Sequence, residues 1–240
     1  MKASVSYNVP LIPQNFQECV QASATQLLQY FGKKISIENV RAEVPVYISK
    51  AGEPLGTSLG HIAAYFVKKG LHPTLHTADM EIFDRTWVNK SMAKILELLR
   101  ERRPFVRHHK YDDEAMDTIF DGYSLFLKAG GSITFPQITR EYLKKLLAKG
   151  PIFAVVHYNY FHSAPKFVLT NEKTGATADA VHGVTSSHAV VVHGYTATRF
   201  LVTDPDKVYG GKKEVTHEHL VSSILLADTE MDSLVLSFQP

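Results

Sequence analysis

One cysteine stands in the 240 residues, Cys19, within the stretch PQNFQECVQASATQLLQYFG from Pro13 to Gly32. A lone thiol forms no internal disulfide, so it either packs or reacts. Thiol attack on a carbonyl needs a base that shares the proton, an orienter for that base, and donors for the oxyanion. The chain offers these in order. His188 begins the apolar run HAVVVHGY, and Asp204 sits near the end of the next run, FLVTDP. The intervening TATR can fold the two runs into a hairpin, bringing a strand start beside a strand end. Asp204 would then accept a hydrogen bond from the His188 ring and fix its tautomer. Gln14, five residues before Cys19, could project its amide beside the sulfur, with the Cys19 backbone N–H as second donor. Gln17 is a rival amide. His193 is a rival base, although the sixth residue of an apolar strand reads as packed. Glu18 would oppose a thiolate if it lay close.

These groups need elements to hold them. After Cys19 come good helix formers, with Ala24, Leu27, Leu28 and Phe31 at helical spacing and Gly32 as a stop. Cys19 is therefore expected at the first turn of a buried helix, where free N–H groups and partial positive charge favour a thiolate. Residues 4–12 read as a short strand or extended lead-in, limited by two prolines. Helices are expected over 35–44 with Ser36 as cap, 58–70 with Ser58 as cap, and 89–103. Residues 112–130 read as a helix interrupted by Gly122. A further helix lies within 133–150, capped by Thr139 or started at Pro136. Strands are expected at 71–77, 104–109, 151–161, 188–195 and 200–205, in SILLAD (223–228) and in DSLVLSF, with a short helix near 217–223. Residues 45–57 and 171–187 read as loops. Helices dominate 1–150 and strands 151–240, which predicts an α+β chain with helices packed on an antiparallel sheet.

Composition excludes several classes. The formal charge is +2, and no basic stripe points to nucleic acid. No stretch of about 18 apolar residues suggests a membrane span, and MKASVSYNVPLIPQ lacks the apolar core of a secretory signal. A cytoplasmic protein, or one exported without a recognisable signal, is expected. His157, His162, His182 and His188 could be weighed as metal ligands, but there is no HExxH and no paired-cysteine spacing, so neither metal nor cofactor is expected. The oligomeric state leaves no mark in the sequence.

The stretches VPLIPQNFQECVQASATQLLQYFG, KKLLAKGPIFAVV and SSHAVVVHGYTATRFLVTDP resemble, in that order, segments of the papain-like cysteine peptidases. They are most similar to the bacteriocin-processing branch, the double-glycine leader peptidases and their stand-alone relatives. The shared features are a glutamine shortly before a helix-starting cysteine, an aromatic-glycine helix end, a histidine opening a strand that ends in Gly-Tyr, and a following strand ending in Asp-Pro. Residues 72–135 carry no part of the resemblance, and Val20 stands where the family usually has glycine. The resemblance implies one papain-like domain over 1–240, with Cys19 as nucleophile, His188 as base, Asp204 as its orienter and Gln14 as oxyanion donor. It implies a thiol hydrolase acting on a peptide or protein substrate through an acyl-enzyme. An acyltransferase or deamidase using the same groups, or an inactive binding module on the same fold, stays open at this stage.

Overall fold

The computed structural model describes residues 4–48, 54–108, 111–169 and 176–239. In chain order the first half holds β1 (Val5–Ser6), α1 (Cys19–Tyr30), α2 (Ile37–Glu43), β2 (Tyr47–Ile48), β3 (Pro54–Gly56), α3 (Leu59–Lys68), β4 (His72–Thr77), α4 (Met92–Arg102), α5 (Asp113–Lys128), β5 (Ser132–Thr134) and α6 (Arg140–Leu147). The second half holds β6 (Ile152–His157), α7 (Tyr158–His162), β7 (Phe167–Leu169), β8 (Ala176–Ala178), β9 (Ser187–Tyr195), β10 (Arg199–Asp204), β11 (Gly211–Thr216), α8 (His217–Leu226) and β12 (Leu234–Gln239).

An eight-stranded sheet runs in the order β11-β10-β9-β6-β12-β4-β5, with β1 added to β9. Its pairings are antiparallel except β4 with β5. Strands from the helical first half therefore complete the sheet that the second half begins. The central strands are apolar on both faces, because each face is covered. Phe153, Val155, Ala189 and Val191 join one core with α1, α3 and α5, while Ile152, Ala154, Val190 and Val192 join another with α6 and α8.

Several expectations need correction. α5 is not interrupted at Gly122. That glycine lets α3 and α5 cross at contact distance: a Cβ on Gly60 would lie 2.3 Å from the Gly122 carbonyl carbon. SILLAD is the end of α8 and the turn after it, not a strand. Thr216 caps that helix by accepting from the His219 N–H, and Leu220 and Ile224 share one buried face at helical spacing. Residues 103–105 form a 3₁₀ turn rather than a strand, and His108 makes only an isolated bridge with Tyr111. His109 lies outside the described residues, as do parts of the loops expected at 45–57 and 171–187. Ser58 precedes α3 without capping it, since its hydroxyl bonds the Ile119 carbonyl instead. Residues 158–161 turn into α7 instead of extending β6. Thr139, not Pro136, starts α6.

Candidate active site

Cys19 is the first residue of α1 and is half-buried. The chain reaches it through a turn in which Gln17 takes a φ of 61°, a left-handed value that costs a non-glycine residue on the order of 1 kcal/mol or more. Glu18 is the N-cap residue, but its carboxylate does not face the thiol unopposed. Arg41 on α2 grips it through Nε and, at 2.6 Å, Nη2. The first N–H groups of α1 have no intrahelical acceptor and point out of the helix start. One turn on, Ser23 donates to the Ala189 carbonyl at 3.0 Å. Residues four apart share a helix face, so this bond seats the Cys19 face of α1 against the start of β9.

His188 lies there, buried, in register with Val156 of β6. Its Nε2 bonds Asp204 Oδ1 at 2.8 Å, and its other nitrogen is left for the Cys19 sulfur, with which the ring interacts. Burial opposes charge on His188, but Asp204 and Cys19 outweigh it and raise its pKa to about 10. Asp204 is wholly buried. Burial pushes its carboxyl up, yet His188 and Lys213 hold it well below the usual carboxylate range. The Asp206 N–H also donates to Oδ1 at 3.0 Å, and the Lys213 ammonium lies 2.8 Å from Oδ2. The turn after β10 ties this carboxylate to the segment that leads into Cys19. Gln14 N–H donates to the Pro205 carbonyl at 2.8 Å, and Lys207 Nζ donates to Asn15 Oδ1 at 3.0 Å.

Two cavities meet at Cys19 and His188. One of about 360 Å³ is lined by Gln14, Phe16, Tyr158, Val208 and Tyr209. The other, of about 470 Å³, reaches Tyr47, Leu59, Ile119, Tyr123, Met231 and Asp232. Gln17 borders both. Val20 is buried in the wall of the larger. Space beside the sulfur therefore opens on both sides, as an extended chain crossing the thiol requires.

The structure thus brings Cys19, His188 and Asp204 together and lines the smaller cavity with Gln14. It separates the rival base. His193 is five residues further along β9, roughly 16 Å at strand rise, where the register slips opposite Val202. The histidines weighed as a metal set part company as well. His157 caps α7, and His182 sits on an exposed turn against Asp179. His162, by contrast, packs against His188 with ring centroids 5.3 Å apart. His162, His188 and Asp204 have ligand atoms within metal-binding reach, but the Lys213 ammonium already brings a cation to that carboxylate. Lys213 and Ser23 were missed by sequence reasoning, and His162 was weighed only as a metal ligand. They come from β11, the interior of α1 and α7, and nothing local marks them.

The solved structures most informative for the fold include a putative C39-like peptidase from Bacillus anthracis, with TM-score 0.50 and 14% identity over 100% of this chain and 98% of that one. A double glycine motif protease from an AMS/PCAT transporter, in complex with its leader peptide, aligns with TM-score 0.48 and 16% identity over 98% of this chain and 94% of that one. A Carica candamarcensis cysteine protease in complex with E-64 gives 0.42 and 12% over 100% and 99%. No curated protein matches. The fold is α+β and papain-like, and the chain is in the class of cysteine peptidases. The chain belongs to the Peptidase_C39 like family, whose model matches residues 6–223. No helix among the described residues is long and apolar enough to cross a membrane.

Proposed function

We propose that this chain, as one papain-like domain over 1–240, hydrolyses a peptide bond with Cys19 as nucleophile, His188 as acid and base, and Asp204 as orienter of His188. The observation that carries the reading is the buried His188–Asp204 bond of 2.8 Å, which commits one ring nitrogen and turns the other to the sulfur. The Cys19 sulfur adds to the carbonyl carbon as a thiolate, and the negative charge moves to the carbonyl oxygen. The Gln14 amide and the Cys19 N–H are the donors for that oxygen. His188, as imidazolium, gives its proton to the leaving nitrogen as the C–N bond breaks, leaving a thioester. Water then adds to the thioester while His188 takes its proton. Expulsion of the thiolate frees the carboxylic acid and restores the imidazolium. The substrate is an extended peptide segment whose side chains enter the two cavities beside the thiol.

The test is covalent capture. A peptidyl chloromethyl ketone should alkylate Cys19, giving one mass adduct that His188→Ala slows strongly. Equal rates for wild type, His188→Ala and free cysteine would remove the catalytic reading and leave a binding module.

A further inference from the structure

Behind the triad lies a half-buried side-chain cluster that the peptidase chemistry above does not use. Lys213 on β11 and His162 at the end of α7 both face Oδ2 of Asp204, the oxygen that His188 does not bond. Three acceptors converge on the Lys213 ammonium: Asp204 Oδ2 at 2.8 Å, the Tyr209 carbonyl at 2.8 Å and His162 Nδ1 at 3.4 Å. The Oδ2 contact is an ion pair, while the carbonyl and the ring nitrogen take hydrogen bonds from the ammonium. His162 Nε2 faces the same Oδ2 from 3.6 Å.

The set is half-buried, with the Lys213 side chain 23% exposed. The His162 side chain is 1% exposed. Its ring stacks on Tyr209 at a centroid distance of 5.4 Å and meets Tyr158 edge-on at 4.6 Å. Phe161 lies under the Lys213 ammonium at 4.9 Å. Burial and the neighbouring His188 hold the His162 pKa down to about 4, so its ring is neutral at neutral pH. A neutral ring whose Nδ1 accepts from Lys213 must carry its proton on Nε2, aimed at Asp204. Electrostatic contacts at a half-buried site are stronger than at a fully exposed one.

We propose that Lys213 is a positioning residue for the peptidase reaction, fixing Asp204 Oδ2 so that Oδ1 stays aimed at His188, and that neutral His162 holds the ammonium in place. This rests on the catalytic reading of His188 and Asp204. Lys213 acts in two ways. It locks the carboxylate against rotation, and it offsets part of the negative charge that His188 feels. The other ionisable groups that face this carboxylate or its histidine are Cys19 from α1, Tyr158 from α7, and Asp206 and Tyr209 from the turn after β10. Asp206 holds the Val208 and Tyr209 N–H groups through Oδ1, so it positions the turn.

The sign of the pH effect follows. Removing the ammonium leaves His188 as the main cation facing Asp204, so its proton is held more tightly. Lys213→Met, which keeps most of the side-chain volume, should lower kcat with KM little changed. It should also move the alkaline limb of kcat/KM, and the imidazolium signal of His188 in nitrogen-15 NMR, upward by roughly one pH unit. Lys213→Arg should restore the wild-type limb. His162→Phe keeps the ring packing and should shift the limb in the same direction by less, which gives a second route should Lys213→Met fail to fold. Unchanged kcat and unchanged limbs in Lys213→Met and His162→Phe, with His188→Ala still inactive, would overturn the positioning role alone. An active His188→Ala would instead overturn the triad on which it stands.

Discussion

Two neighbouring residues at the start of β9 each hold a carboxylate, Asp204 buried and Asp232 half-buried, and the two are held in opposite ways. His188 bonds Asp204 at 2.8 Å, and Ser187 donates to Asp232 at 2.7 Å. Asp204 faces a histidine, an ammonium and a backbone N–H, and its pKa is driven far down. Asp232 has a hydroxyl for a partner and the Glu230 carboxylate as a neighbour, and burial raises it to about 7. Burial acts on both groups in the same direction. The presence of cations decides whether the buried carboxyl is a fixed charge or a group that titrates near neutrality. The fixed charge lies on the Gln14 side of the thiol, where the turn after β10 also holds the nucleophile segment. The titrating group lies in the wall of the larger cavity.

The sharpest break of this comparison is Asp204→Asn. An amide brings no charge to the imidazolium, and when its oxygen turns to the Lys213 ammonium its NH2 faces the ring and favours the wrong tautomer. Turnover should fall on the order of ten-thousandfold, while Cys19 is still alkylated and the circular dichroism spectrum is kept. Unchanged turnover would mean that another group orients His188.

Gln14→Ala probes the same side with a smaller loss. An oxyanion donor acts on charge that exists only in the transition state, so KM should stay near wild type while kcat falls roughly a hundredfold to a thousandfold. Gln17→Gly is the comparison variant, since glycine accepts the φ of 61° at that position. If Gln17→Gly is the severe variant in steady-state assays, the donor is Gln17.

Alkylation of Cys19 reports the His188 charge directly. Because the ring stays protonated up to about pH 10, a cation accompanies the sulfur at pH 6. Iodoacetamide should react there faster than with free cysteine, and His188→Ala should remove the excess. Equal rates at pH 6 would deny the pair.

The smallest effect is expected from the other carboxylate and is seen in stability. An unfolded aspartate titrates near 3.9, whereas Asp232 titrates at about 7 in the fold. The folded state therefore binds more protons between these values, and stability is lost as pH rises from about 4 to 7. Asp232→Asn should gain Tm relative to wild type between pH 5 and 7 and level off above. Asp204→Asn should show a constant deficit over the same range, because Asp204 stays ionised throughout it. A flat difference for Asp232→Asn would show that its carboxyl is ionised in the fold.

Much of this was legible before any coordinates. Local rules found the caps at Ser36 and Thr139, the start of α1 at Cys19 and the β9–β10 hairpin, because each depends on residues within a few positions. The hairpin alone places His188 beside Asp204. Local rules failed where tertiary contact overrode them. Gly122 reads as a helix breaker in isolation, but it is the point where α3 approaches α5. The apolar run of SILLAD suggests a strand, but packing beneath the sheet rewards the helical face of Leu220 and Ile224.

The sequence by itself determined that Cys19 starts a helix and that His188 and Asp204 lie on paired strands, since helix starts and hairpins are written in short runs. Tertiary structure alone decided that Arg41 neutralises Glu18, that Ser23 docks α1 on β9, and that Lys213 and His162 close around Asp204. Lys213 reaches Asp204 across the β10–β11 pair, whereas the other contacts join residues 23 or more positions apart, and no periodicity or cap can encode them. They exist because burying Asp204 demands partners for its charge, and the fold supplies them from β11 and α7.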